Sequence, residues 1–372
     1  MVAMMIEVIF LVLVFHTPYI HSKIIIHAPD YNEIASVHYE PSVPLNNQVF
    51  FPCLKPLCDE DYGCFEPFVY MGIPISLPPF AGCPEISRKK TIRFLCLSKK
   101  FPYAFQSVEI IEPQSKVAVL IHGLQIEYDI TIMKLVGLSL LSHYDYVVFV
   151  DWAYLTQPYF AYRIPSSAAL LALTNGILVG RAVCKFNHWL VKTKYIDPRE
   201  IKIVGFSGGA TALAAVGEFC KQKYGMIFGH AVAIELLGPP FRNNYRYHMT
   251  NYSTAETVDI ILTTISPPLF EFNPFEGYGP LEAAGSCVYI LNPKSILIDQ
   301  PGCNNIPICA HLVAPIVFAA GESGKCWYRY NQCPIQFGYS PPISGYTRFN
   351  CRDHPKQKRL CVETSSSPWV NC

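Results

Sequence analysis

This chain carries little charge. Only 15% of its 372 residues are charged, against 51% apolar, and the formal net charge is +1. So even a balance, with no Lys/Arg stripe, excludes nucleic acid as an electrostatic partner. No C-x-x-C pair occurs, which argues against a zinc ribbon. There is no internal repeat and no low-complexity segment. The apolar run Val8–Phe15 is too short to cross a bilayer and has the size of a signal-peptide core. What remains is a chain able to bury a sizeable core, as one large α/β domain or two smaller ones.

Cysteine, by contrast, is abundant. Five of the 15 cysteines fall between Cys53 and Cys96 and eight between Cys287 and Cys372. Such density fits a secreted, disulfide-stapled protein rather than a cytosolic one. A signal peptide over 1–22, cleaved near Ser22, and an extracellular location are therefore expected, with no transmembrane helix in the mature chain. Cys58 and Cys64 are close enough to close a small loop. The odd total leaves at least one thiol outside any intrachain pair, and Cys184 and Cys220, both on predicted helices, are the candidates for buried free thiols. Asn251-Tyr252-Ser253 is the single N-glycosylation acceptor sequence.

Residues 23–50 lack periodicity and read as an extended lead-in. Lys116–His122 and Tyr146–Trp152 are continuous apolar runs, as expected of strands buried on both faces. Helical periodicity covers Tyr128–Ser142 and Ser166–Val191. A strand at 201–204, a helix over Ala210–Lys223 and strands at Gly229–Glu235 and Val258–Thr264 follow. This alternation predicts a mostly parallel sheet with helices on both faces, in a single domain over 51–340. Residues 341–372 read as a cysteine-pinned basic tail, too short for a carboxyl-terminal β-sandwich, which needs about 100 residues. The aromatic segment Pro267–Pro280 carries too many prolines for a regular helix.

The chain centres on Ile201–Thr211, where a β-branched run drives into Gly205-Phe206-Ser207-Gly208-Gly209 and then a helix-forming segment. Strand, G-x-S-x-G and helix in that order make a nucleophile elbow, with Ser207 held in a strained turn and its hydroxyl presented. Gly205 and Gly209 flank it because side chains there would collide with the neighbouring strand and helix. An ordinary turn with a capping serine is the plainer alternative. In this topology the acid and then the histidine follow the serine. Glu235, Asp259 and Asp299 are the acid candidates, and Glu235 is preferred because it ends the strand after the elbow helix. Of His230, His248, His311 and His354, His311 is preferred, in a loop stapled by Cys303 and Cys309. His122 reads as a loop-packing residue. The oxyanion donors expected are the backbone N–H groups of Gly208 and Leu124.

Several ordered motifs carry a resemblance. They are Tyr62-Gly63-Cys64-Phe65, Thr91-Ile92-Arg93-Phe94-Leu95, Leu120-Ile121-His122-Gly123-Leu124, Val150-Asp151-Trp152, the elbow itself, Gln300-Pro301-Gly302-Cys303 and Cys309-Ala310-His311. Together they resemble the pancreatic-lipase-like family of animal lipases and phospholipases. The resemblance implies an α/β-hydrolase fold and a Ser207–His311–Glu235 triad acting on lipid esters at a membrane or micelle surface, without a cofactor. Glu235 stands where the family has Asp, Phe206 where it has His, Gly208 where it has Leu and Val313 where an Arg is common. The acidic residues that bind calcium in some members have no counterpart here, so no metal is expected. The equivalents of Cys303 and Cys309 frame the family's lid. Here only five residues lie between them, which implies a short, rigid lid, an accessible serine and a phospholipase A1-like preference for the sn-1 ester. Alternatives are a neutral-lipid lipase, or a catalytically weak lipid-binding or storage protein that keeps the fold. No protein partner is indicated.

Overall fold

The computed structural model describes residues 56–65, 69–70, 73–74, 84, 86–124, 126–156, 165–236, 250–251, 253–266, 279–280, 283–293, 300–304, 306–333, 344–353 and 358–365. The expected signal peptide and lead-in, Asp299, His248, His354 and nearly all of the aromatic segment lie outside these residues. The chain divides between Val49 and Phe50 into two compact units, and every described residue belongs to the second.

Eleven strands build one sheet. In chain order they are β1 (Arg93–Ser98), β2 (Gln106–Ser107), β3 (Val117–Ile121), β4 (Tyr146–Asp151), β5 (Lys202–Phe206), β6 (His230–Ile234), β7 (Thr257–Leu262), β8 (Cys287–Leu291), β9 (Tyr328–Gln332), β10 (Gly345–Thr347) and β11 (Lys358–Val362). Their spatial order is β10-β9-β11-β8-β7-β6-β5-β3-β4-β1-β2. From β4 through β11 the neighbours run parallel, while β1 with β2, and β9 and β10 at the far edge, are antiparallel. The connecting helices are α1 (Thr131–Leu140), α2 (Pro165–Lys194), α3 (Gly208–Tyr224) and α4 (Pro307–Glu322). A parallel sheet with one antiparallel strand beside β4, and a strained serine between β5 and α3, is the α/β-hydrolase fold.

Strands this apolar are buried on both faces, so their alternating side chains feed two cores. Val117, Val119 and Ile121 of β3 join Val179 and Val183 of α2 and Val216 of α3. Ala118 and Leu120 join Met133 and Val136 of α1 and Val317 and Phe318 of α4 on the other side. The predicted strands and helices all form, within a few residues of the expected bounds.

Three expectations are corrected. The boundary at 340 is not one, because β11 lies inside the sheet between β8 and β9, with Leu360 and Val362 fully buried. A strand this short, among basic residues and cysteines, carries too little periodicity to stand out from a solvated segment. His311 lies within helix α4 rather than in a loop, since Pro307 occupies the first turn, where a missing N–H costs nothing. Cys184 and Cys220 are not free thiols; they join α2 to α3, their Cα atoms 5.4 Å apart. Their pairing depends on how two helices pack, which spacing along the chain does not encode. The expected small loop is closed by Cys58–Cys64, and Cys303–Cys309, Cys287–Cys351 and Cys333–Cys361 also pair. Among the described residues Cys96 is the free thiol. Burial, with a smaller push from Glu109, raises it to about 12, so it is inert at neutral pH.

Candidate active site

Ser207 separates β5 from α3 with φ 55° and ψ −119°, a conformation that L residues rarely adopt. Its N–H donates to the Ile234 carbonyl at 2.9 Å, which ties the elbow to the end of β6. The flanking glycines are obligatory for the reason expected. A Cβ on Gly205 would sit 2.3 Å from the Gly209 carbonyl oxygen, and one on Gly209 would sit 2.3 Å from the Ile121 oxygen. Both obstacles are backbone, which cannot swing aside. Gly209→Ala is therefore expected to cost more than about 3 kcal/mol of stability, read from urea unfolding. A loss below 1 kcal/mol would mean the elbow is slacker than this geometry.

The loop after β3 lies directly over the serine. A Cβ on Gly123 would fall 2.9 Å from Ser207 Cβ, and one on Gly208 would meet the Leu124 side chain at 2.4 Å and the Leu124 amide nitrogen at 3.5 Å. The amides expected to form an oxyanion hole are thus neighbours, and Gly208 contributes one of the first-turn N–H groups that no intrahelical acceptor takes. Ser207 is only 7% exposed, which corrects the expectation of an open serine. Gly123 is among the residues packed against it, a contact that the length of the Cys303–Cys309 segment does not report.

Glu235 follows β6 at φ 52° and is fully buried. Its Oε2 accepts from the Thr263 N–H at 2.9 Å and from the Thr263 hydroxyl. Its Oε1 accepts from the Thr264 N–H at 3.1 Å and the Thr264 hydroxyl at 2.8 Å. Burial pushes the carboxyl up to about 7 despite these bonds, each of which favours the charged form. The two threonines were not singled out from sequence. Their signal was a Thr-Thr pair just past the strand that neighbours β6.

His311 packs its ring 5.0 Å from the ring of Phe206, the residue before the serine, and is 5% exposed. Burial lowers its imidazole to about 3, so it is neutral at physiological pH. His122 and His230 have other partners. His122 donates from Nδ1 to the Gly123 carbonyl at 2.8 Å and accepts at Nε2 from the Trp152 N–H at 3.1 Å, which is the loop-packing role expected. His230 Nε2 lies 2.6 Å from Asp259 Oδ2, and Asp259 also accepts from the Cys351 N–H at 3.1 Å. That pair sits in the amino-terminal half of β6 and β7, away from Ser207, so Asp259 is not available as the acid. Among the described residues the cluster closest to a metal-ligand set is Asp259, Cys287 and Cys351. Its sulfurs are bonded to each other, so it offers no thiolate.

Over 193 residues the chain is 27% identical to lipoprotein lipase of Rattus norvegicus, covering 51% of this chain and 36% of that protein. Over 279 residues it is 24% identical to pancreatic lipase-related protein 3 of Homo sapiens, covering 71% of this chain and 52% of that protein. The chain is similar to animal lipases. It spans about half the length, or less, of these relatives. No family model matches. Among solved structures, a thermostable esterase from Pseudomonas putida aligns at 12% identity with a TM-score of 0.28, over 60% of this chain and 66% of that one.

Proposed function

We propose that this chain is a secreted serine carboxylester hydrolase acting on lipid esters. The observation that carries the reading is Ser207 at positive φ, with the Leu124 and Gly208 amides on one side and Phe206 packing His311 beside it. Similarity to animal lipases gives the substrate class, and the disulfides support an oxidising compartment. In this mechanism Ser207 Oγ attacks the ester carbonyl while His311 takes its proton, and Gly208 and Leu124 N–H groups bind the oxyanion. His311 then returns the proton to the leaving alcohol, Glu235 stabilises the transient imidazolium, and water releases the fatty acid by the same steps. Asn251 is proposed as the glycosylation site, its Oδ1 accepting from Ser253 Oγ at 2.7 Å.

A fluorophosphonate ester tests the reading, because it labels only an activated serine. Labelling at Ser207 that disappears in Ser207→Ala is the expected result. The low exposure of Ser207 and His311 favours the second reading, a lipid-binding or storage protein. Folded protein that binds lipid vesicles yet takes no label would establish it.

The finer proposal is a phospholipase A1-like preference for the sn-1 ester. It rests on the Cys303–Cys309 disulfide, which closes a segment too short for an amphipathic lid helix. Without an apolar flap to sort several acyl chains, a polar-headed ester is the better fit. Phosphatidylcholine is expected to be cleaved faster than triolein, with little jump in rate as the substrate forms an interface. Preference for triolein with a sharp interfacial jump would reverse the assignment.

A further inference from the structure

Among the described residues, the carboxylate of Glu235 is held by one dipeptide. Thr263 and Thr264 follow β7, the neighbour of β6, and each offers its amide and its hydroxyl to a different carboxylate oxygen. Thr263 is itself fixed from behind. Gln300 Nε2 donates to the Thr263 carbonyl at 2.8 Å and to the Leu291 carbonyl at 2.9 Å, and Asn292 Nδ2 donates to Gln300 Oε1 at 2.9 Å. All of these residues are buried. The extra methylene of a glutamate adds a torsion that an aspartate lacks, and four directed bonds remove that freedom.

We infer that Thr263 and Thr264 are positioning residues for the triad acid, their amides fixing the Glu235 carboxylate and their hydroxyls keeping it charged while yielding an oxygen to the imidazole. The inference rests on the Ser207–His311–Glu235 reading above. An ionised carboxylate offers about four lone-pair positions, and the threonines fill them. An amide cannot turn away, but a hydroxyl rotates, so an incoming imidazole N–H displaces a hydroxyl and leaves the amide frame intact.

The pH dependence follows from the surroundings. Burial raises the Glu235 carboxyl to about 7, and the threonine bonds are the groups that pull it back. The titratable group that the triad reading pairs with it is His311 of α4. The charged groups of the packed elements lie elsewhere. Lys202 of β5, His230 of β6, Asp259 of β7 and Glu322 of α4 cluster towards the strands' amino ends, about 13 Å from Thr263 along β7. Glu218, Lys221 and Lys223 occupy the last turns of α3. Loss of a hydroxyl therefore makes the charged carboxylate less favourable, and among the described residues no cation stands beside it to compensate.

The test is the pH profile of kcat/KM on a soluble short-chain ester for Thr263→Val, Thr264→Val and the double variant, each beside its serine counterpart and Glu235→Gln. Valine keeps the shape and the amide; serine restores the hydroxyl. The valine variants are expected to move the acid limb upward, by about one pH unit in the double variant, and the serine variants to return it. An unmoved acid limb in valine variants that melt like the parent would overturn the inference while Glu235→Gln stays inactive and the triad stands. Full activity in Glu235→Gln would remove the triad reading and this inference with it. If the double variant fails to fold, Thr264→Val against Thr264→Ser decides by the same criterion.

Discussion

Ser207→Ala is expected to lose hydrolysis of a soluble ester by about five to six orders of magnitude in kcat while folding normally. The large loss follows from the division of labour. Alanine removes the atom that forms the acyl-enzyme, and no other described nucleophile is near the Gly208 and Leu124 amides. What survives is the contribution of the oxyanion donors and of binding, about 10³–10⁴-fold over water. The fold should be untouched, because the Ser207 N–H to Ile234 bond is made by the backbone. Alanine in the positive-φ conformation is strained like serine there, so the elbow loses nothing by the exchange. His311→Ala is expected to fall to a similar level, since the members of a triad fail together. Steady-state kinetics with a circular dichroism control measures this. Activity within tenfold of the parent in Ser207→Ala would show that catalysis lies elsewhere.

Breaking the ion pair beneath the sheet is expected to cost about 3–5 kcal/mol of folding stability. Lys202, first residue of β5, is bonded to Glu322, last residue of α4, at 2.7 Å, with side chains 4% and 8% exposed. Burial pushes the Glu322 carboxyl up, but the Lys202 ammonium outweighs it and holds the group below its ordinary range. Glu322→Ala strands that ammonium against the rings of Phe318 and Tyr144, 5.4 and 5.9 Å away, with His230 alongside in register. Replacing both members, Lys202→Met with Glu322→Leu, removes the uncompensated charge and is expected to recover most of the loss. A carboxyl held down in the folded state contributes stability above its unfolded value, near 4.5, and loses it as pH falls through the folded one. His230 adds to acid sensitivity. Burial, and then Lys202, lowers its imidazole, so below its ordinary value the unfolded chain takes up a proton that the native chain resists. Urea unfolding of the single and double variants at several pH values checks both statements. A loss under 1 kcal/mol in Glu322→Ala would mean the lysine finds water.

Local signals were legible where one residue type admits one physical use. The run Val117–Ile121 could only be a strand buried on both faces, and it is. Gly205 and Gly209 were required by a sharp turn, and a side chain on either would meet backbone. Glu235 was chosen by its place at a strand end. Nothing local announced Thr263 and Thr264, because threonine beside a strand is commonplace and their meaning comes from lying next to β6. The burial of Ser207 was missed for a related reason. The loop at Gly123, more than 80 residues upstream, comes to lie against the serine only in the folded chain.

The sequence by itself therefore determined the alternation of strands and helices, the strained serine and the short Cys303–Cys309 segment, since each is set by residues close together in the chain. The tertiary structure alone decided three other features. They are the place of β11 inside the sheet, the Cys184–Cys220 bond between helices, and the threonine frame around Glu235. Each is a contact between distant segments, whose energy depends on how two faces pack, and no periodicity within either segment records which face it will meet.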